Sequence, residues 1–219
     1  MKKALIFDLD GTLLDTLDDL TASVNVALGA TGLPLRSRQE VRSFLGNGVR
    51  YLMECAVPEQ TDADTFEKAF ASFRAHYMEH SLDATRPYDG LMEVLAHFKS
   101  QEVPMAIVSN KLHEAVVQLH RRFFGQYVDV AVGESPAVRR KPAPDTVLLA
   151  LKRLGMSPDE AIYVGDSEVD MLTAQNAGLP CITVLWGFRD KDFLEARGAQ
   201  CMVSEPAQLP EAYEQMCKS

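Results

Sequence analysis

From Ala84 onward the chain alternates short apolar runs with stretches of helical spacing, and this constrains its fold more than any other feature. Leu91, Val94, Leu95 and Phe98 keep a helical period, as do Val116, Leu119 and Phe123. The same pattern predicts helices over 147–154 and 170–177. Continuous apolar runs predict strands over 105–108, 128–132, 161–164 and 181–185. Strands that alternate with helices in this way build a parallel sheet covered on both faces. The opening run, 4–9, joins the same sheet because its residues are apolar without alternation.

Residues 16–81 break the rhythm. Leu17, Leu20, Val24 and Leu28 fall on one helical stripe, and Phe66, Ala69, Phe70, Phe73 and Tyr77 form another. Shorter helical patterns lie between Glu40 and Ala56, and no strand signal is convincing. The expected organisation is an α/β, Rossmann-like core from 1–15 and 82–219 with a small all-helical domain, 16–81, inserted after the first strand. Such an insert would sit above the carboxyl end of that strand, where open α/β sheets bind ligands.

The formal net charge of −9 argues against a nucleic-acid or anionic-membrane partner, and it means an anionic substrate needs a locally cationic pocket. Met1-Lys2-Lys3 before an apolar run is a faint signal-peptide pattern, but Asp8 and Asp10 interrupt it. The four cysteines form no Cys-x-x-Cys pair and read as reduced structural thiols of a cytoplasmic protein.

Chemistry concentrates where strands end. The first closes on Asp8-Leu9-Asp10-Gly11-Thr12. Alternation along a strand puts Asp8 and Asp10 on one side, a repulsive arrangement that folding does not require. A cation would offset it. The run 105–108 is followed by Ser109 and Asn110, which suit either a helix cap or hydrogen bonds to phosphate. Lys141 lies in Arg139-Arg140-Lys141-Pro142-Ala143-Pro144, where two prolines stiffen the segment ahead of a helix. The run 161–164 leads into Gly165-Asp166-Ser167-Glu168-Val169-Asp170, two further acids at the start of a helix.

Taken in order, Phe7-Asp8-Leu9-Asp10-Gly11-Thr12, Val108-Ser109-Asn110, Lys141-Pro142 and Gly165-Asp166-Ser167-x-x-Asp170 resemble the motifs of the haloacid dehalogenase-like hydrolase superfamily. The helical insert resembles the cap of the subgroup that includes phosphoglycolate phosphatase and β-phosphoglucomutase. The stretches Leu45-Gly46-Asn47-Gly48-Val49-Arg50, Arg86-Pro87-Tyr88-x-Gly90 and Val184-x-Trp186-Gly187-Phe188-Arg189 look most like the phosphoglycolate phosphatase branch.

The resemblance implies a Mg²⁺-dependent phosphomonoester hydrolase acting on a small phosphate ester, with 2-phosphoglycolate the first expectation. It makes Asp8 the nucleophile that becomes an aspartyl phosphate, and Asp10 the general acid and then base. It gives the phosphoryl oxygens to Ser109, Asn110 and Lys141. It gives Mg²⁺ to Asp8, the backbone carbonyl of Asp10 and Asp166, with Asp170 orienting a metal-bound water. Arg50, in the insert, is expected to meet the non-transferred end of the substrate.

A phosphosugar mutase of the β-phosphoglucomutase kind would use the same residues, and pyrophosphate, nucleoside monophosphates and sugar phosphates stay open as substrates. A catalytically silent phosphate-responsive module is the non-enzyme alternative; a receiver domain is disfavoured by the helical insert. The expected state is monomer or homodimer. His76 and His80, four apart on a helix, have no third ligand nearby and read as an exposed face. Trp186 reads as packing rather than a substrate platform.

Overall fold

The computed structural model describes residues 2–218. In chain order the elements are β1 (Ala4–Phe7), β2 (Leu14–Asp15), α1 (Leu17–Ala30), α2 (Arg38–Phe44), α3 (Gly48–Ala56), α4 (Ala63–His80), β3 (Arg86–Pro87), α5 (Leu91–Ser100) and β4 (Met105–Leu112). They continue with α6 (His113–Leu119), β5 (Val130–Glu134), α7 (Asp145–Leu154), β6 (Ala161–Gly165), α8 (Glu168–Ala177), β7 (Cys181–Val184), α9 (Lys191–Glu195), β8 (Cys201–Val203) and α10 (Leu209–Lys218).

Two compact units result. One comprises Met1–Leu14 and Pro87–Ser219, the other Asp15–Arg86. The first holds a six-stranded sheet of order β5-β4-β1-β6-β7-β8 in which every neighbouring pair is parallel. Successive residues of β1, β4 and β6 point to opposite faces, yet Ala4–Phe7, Met105–Val108 and Ala161–Val164 are all at most 1 % exposed. Both faces are therefore covered, which is why these strands read as continuous apolar runs. Ala4, Ile6, Ala106, Val108, Ala161 and Tyr163 form one face and pack on Val147, Ala150 and Leu151 of α7.

The chain builds outward from β1 through β4 to β5, then returns to the other side of β1 for β6, β7 and β8. The carboxyl end of β1 is thus a topological switch point, the usual ligand crevice of such sheets. Register brings the relevant ends level: Phe7 pairs with Ile107 on one side and Val164 on the other.

The second unit carries α1–α4, with α1 and α4 as its longest helices. Its buried residues include Leu20, Val24, Leu28, Ala69 and Phe73, the stripes read from the sequence. Ser37 caps α2 through a reciprocal bond with Glu40, and the Asp62 side chain caps α4 through the Thr65 amide. No helix among the described residues is long and apolar enough to cross a membrane.

Some expectations shift. The strand expected at 128–132 is Val130–Glu134, and β4 runs on to Leu112, carrying Ser109 and Asn110 within it. The helix through Phe123 ends at Leu119 and continues as a π-turn over His120–Phe124. The sequence reading did not find β8 or α10.

Candidate active site

The strand-end acids sit in the sheet-bearing unit, and the structure explains how each is held. Past β1, the amides of Leu13 and Leu14 both bond back to the Leu9 carbonyl, and the Gly11 amide bonds to Leu14. This tight reversal needs Gly11 at φ +89, a conformation that side chains rarely adopt. It leaves Asp8 buried, its amide on the Val164 carbonyl at 2.9 Å, and Asp10 partly open.

Asp166 follows β6 and is 1 % exposed. Thr12 Oγ1 donates to its Oδ1 at 3.1 Å, and the Phe188 amide donates to Oδ2 at 2.7 Å. A Cβ built on Gly11 would lie 2.5 Å from Asp166 Oδ2, and one on Gly187 would lie 2.5 Å from Asp166 Cγ. Two glycines and two donors therefore fix one carboxylate. Trp186 contributes indirectly, its Nε1 donating to the Thr12 carbonyl at 3.0 Å.

Asp170 opens α8. Its Oδ2 takes the Ser167 amide at 3.1 Å and the Ser167 hydroxyl at 2.6 Å, the helix cap that the spacing allowed. Its Oδ1 takes Lys141 Nζ at 2.7 Å and the Tyr163 hydroxyl at 2.9 Å. A carboxylate offers about four acceptor positions, and these four donors fill them. Asp170, expected to orient a metal-bound water, here bonds Lys141 through Oδ1 and closes the helix cap through Oδ2.

Lys141 is 3 % exposed. Its ammonium lies 2.7 Å from Asp8 Oδ1, 2.7 Å from Asp170 Oδ1 and 3.2 Å from the Tyr163 hydroxyl, one partner for each of its three protons. Asn110 holds the lysine's backbone. Its Oδ1 accepts from the Lys141 amide at 2.6 Å and its Nδ2 donates to the Lys141 carbonyl at 3.1 Å. The Asn110 side chain, expected on the phosphate, here joins β4 to the Lys141 segment through these two bonds. Ser109 is 2 % exposed, with its Oγ accepting from the Lys111 amide at 3.1 Å.

The sequence reading missed Lys111. Its Nζ donates to Asp10 Oδ1 at 3.0 Å, and the lysine side chain is only 8 % exposed. Thr12, Tyr163, Gly187 and the Phe188 amide were missed as well. Gly187 lies within a quoted motif, but nothing in that motif says which carboxylate the glycine makes room for.

Asp8, Asp166 and Asp170 bring one carboxylate oxygen each within 4.8 Å of one another. Burial first, then the Asp170 charge, push Asp8 well above the usual carboxylate range despite the pull of Lys141. Burial and Asp170 likewise push Asp166 up to about 7. Burial alone would lower Lys141, but the Asp170 and Asp8 charges outweigh it and raise it. One ammonium among three buried carboxylates leaves surplus negative charge. The donors are hard oxygens, and with Asp170 saturated only two of these carboxylates remain to hold an ion. Few carboxylates, with water and substrate oxygens filling the rest, is the donor set that Mg²⁺ prefers. The residues thus fit a hard divalent cation.

Arg50 has partners within the helical unit. Its Nη2 donates to Glu67 Oε1 at 2.6 Å, Glu54 lies 3.5 Å from its Nε, and its guanidinium sits 5.1 and 5.2 Å from the Phe66 and Phe70 ring centroids.

Comparison with known proteins agrees with this geometry. A sequence profile of the haloacid dehalogenase-like hydrolases matches residues 5–184. The chain is 34% identical to a phosphoglycolate phosphatase of Thiobacillus denitrificans, over 85% of this chain and 84% of that one. It is 32% identical to an N-acetylmuramic acid 6-phosphate phosphatase of Pseudomonas aeruginosa, over 94% and 92%. A solved structure from Lactobacillus delbrueckii subsp. bulgaricus superposes with a TM-score of 0.91 at 34% identity, over 97% of this chain and 99% of that one.

Proposed function

The chain belongs to the haloacid dehalogenase-like hydrolases and is a phosphatase, and from that premise we propose that it hydrolyses small phosphate monoesters through a phosphorylated Asp8. The observation that carries the reading is the Lys141 ammonium, held between Asp8 and Asp170 at the switch point of a parallel sheet. It gives a buried carboxylate a fixed positive neighbour where a phosphate dianion would arrive.

An Asp8 oxygen attacks phosphorus and the ester P–O bond breaks. Asp10 delivers a proton to the departing alkoxide, so an alcohol leaves rather than an anion. Asp10 is then a carboxylate, the form that Lys111 stabilises. It takes a proton from water, whose oxygen attacks the phosphorus. The acyl-phosphate bond breaks, inorganic phosphate departs and Asp8 is restored. Ser109 holds a phosphoryl oxygen, and Lys141 turns the proton it gives Asp8 toward another as the Asp8 oxygen attacks. Mg²⁺, held by Asp8, Asp166 and the Asp10 carbonyl, would supply the charge neutralisation that an anionic nucleophile and a phosphate dianion need.

For substrate, 2-phosphoglycolate comes first, because phosphoglycolate phosphatases recur among the relatives. N-acetylmuramic acid 6-phosphate is the second candidate. Both join a phosphate ester to a carboxylate. The helical unit is proposed as the cap that selects among such esters. Phosphate release across a panel of small esters, with Mg²⁺ and with chelator, tests the reading. Turnover confined to Mg²⁺ and highest on phosphoglycolate is expected. Isomerised sugar phosphate without free phosphate would make the enzyme a mutase, and no turnover of any ester would overturn the proposal.

A further inference from the structure

Strand β4 is irregular where it carries site residues. Val108 pairs with Val132 and Leu112 with Glu134, so four steps along β4 match two along β5. The surplus falls in Ser109-Asn110-Lys111, the segment that ends in the partner of Asp10. A bulge bends its strand, re-aims side chains and interrupts the ladder of backbone bonds. Here a side chain takes up a backbone group beside the interruption. The buried Gly133 of β5 donates its amide hydrogen to His113 Nδ1 at 3.1 Å. An amide N–H only donates, so Nδ1 holds a lone pair and the ring hydrogen sits on Nε2.

The approach is close enough to need a glycine. A Cβ built on Gly133 would lie 2.6 Å from the Lys111 carbonyl oxygen and 2.7 Å from His113 Cα. The bulge is tied down at three points. Ser109 Oγ accepts the Lys111 amide, Asn110 bonds the Lys141 backbone, and His113 bonds Gly133. Lys111 lies between the Asn110 and His113 ties, and its Nζ reaches Asp10 at 3.0 Å. We propose that His113 is a positioning residue: by accepting the Gly133 amide it fixes the β4 bulge in the form that puts Lys111 on Asp10. Its effect on rate rests on the proton transfer proposed for Asp10; its effect on the Lys111–Asp10 contact does not.

Spectra of the full chain test the contact without substrate. Long-range ¹H–¹⁵N correlations should show His113 as the Nε2–H tautomer, and an Nδ1–H ring would overturn the bond. The Lys111 ammonium ¹⁵N resonance, assigned by its loss in Lys111→Met, should move when Asp10→Asn removes its partner's charge. It should also move in His113→Leu, and in His113→Gln, whose acceptor lies one bond farther out. It should stay in place in His113→Asn, whose Oδ1 falls where Nδ1 was and still accepts. A resonance unmoved by both His113→Leu and His113→Gln would overturn the positioning role, whether or not the chain turns over any ester. In phosphate release, His113→Leu should lower kcat/KM roughly tenfold on alkyl phosphates, the factor for about one hydrogen bond, and less on aryl phosphates. His113→Asn should restore the rate to within about threefold of wild type, and His113→Leu added to Lys111→Met should cost less than about twofold more, because the two act as one unit. Equal losses on both ester classes, or fully additive losses, would leave His113 no part in placing Lys111. The ring spectrum needs only the wild-type chain, so a variant that fails to fold does not shield the inference.

Discussion

Gly187→Ala isolates the role of the glycine wall behind Asp166. The new Cβ would lie 2.5 Å from Asp166 Cγ, where ordinary contact begins at 3.4 Å. No positive φ is involved at this position, so the effect is steric rather than conformational. Asp166 must retreat by roughly 1 Å, or the loop carrying Phe188 must. Either movement stretches the 2.7 Å bond from the Phe188 amide, which as a bond to a charged group is worth about 1.5–3 kcal/mol. A misplacement of about 1 Å at a catalytic centre costs on the order of a hundredfold. Gly187→Ala should therefore lower kcat/KM by about that factor and raise the Mg²⁺ concentration needed for half-maximal activity. The assay is phosphate release over a Mg²⁺ series, with circular dichroism to confirm the fold. A folded variant within twofold of wild type, at the same Mg²⁺ midpoint, would refute the argument that Asp166 is fixed by steric contact.

Three further outcomes follow from the same contacts. Lys111→Met should cost roughly ten- to a hundredfold in kcat/KM on alkyl phosphates, the range for a charge-assisted hydrogen bond, and less on aryl phosphates that need little protonation; equal losses would remove Lys111 from the proton-transfer step. Asp166, at about 7 when folded against about 3.9 in an unfolded chain, favours the metal-free fold at acid pH, and that contribution is lost as pH rises through 7. Mg²⁺ replaces a proton there, so its effect on Tm should grow between pH 5 and 8, and a constant shift would contradict the linkage. Arg50→Ala should lower kcat/KM equally for phosphoglycolate and for an uncharged aryl phosphate, because Glu67 and the Phe66 and Phe70 rings already hold the guanidinium; a loss confined to phosphoglycolate would put Arg50 on the substrate.

Both the core strands and the acids that end them were legible in the sequence, for one reason. A strand covered on both faces must be apolar along its length, so Asp8 and Asp166 stand out where β1 and β6 stop. The strand β8 is apolar but only three residues long, too short to stand out, and α10 begins with a proline in its first turn. Within the site, residue types were legible but partners were not. Asn110 reads as a phosphate donor or a helix cap, and its bonds to the Lys141 backbone, 31 residues away, have no local signal. Lys111 and Asp10 are 101 residues apart, joined only because β1 and β4 are neighbours in the sheet. Asp170 showed its cap spacing, but the Lys141 bond to its other oxygen depends on a loop that local periodicity does not place.

The central claim is that phosphate passes through Asp8. Wild-type enzyme mixed with phosphoglycolate and Mg²⁺, quenched in acid within one turnover and reduced with borohydride, converts an aspartyl phosphate to homoserine. Peptide mass spectrometry should find homoserine at position 8 and at no other aspartate, and Asp8→Asn should yield none. Homoserine at another aspartate, or turnover by Asp8→Asn at the wild-type rate, would contradict the account.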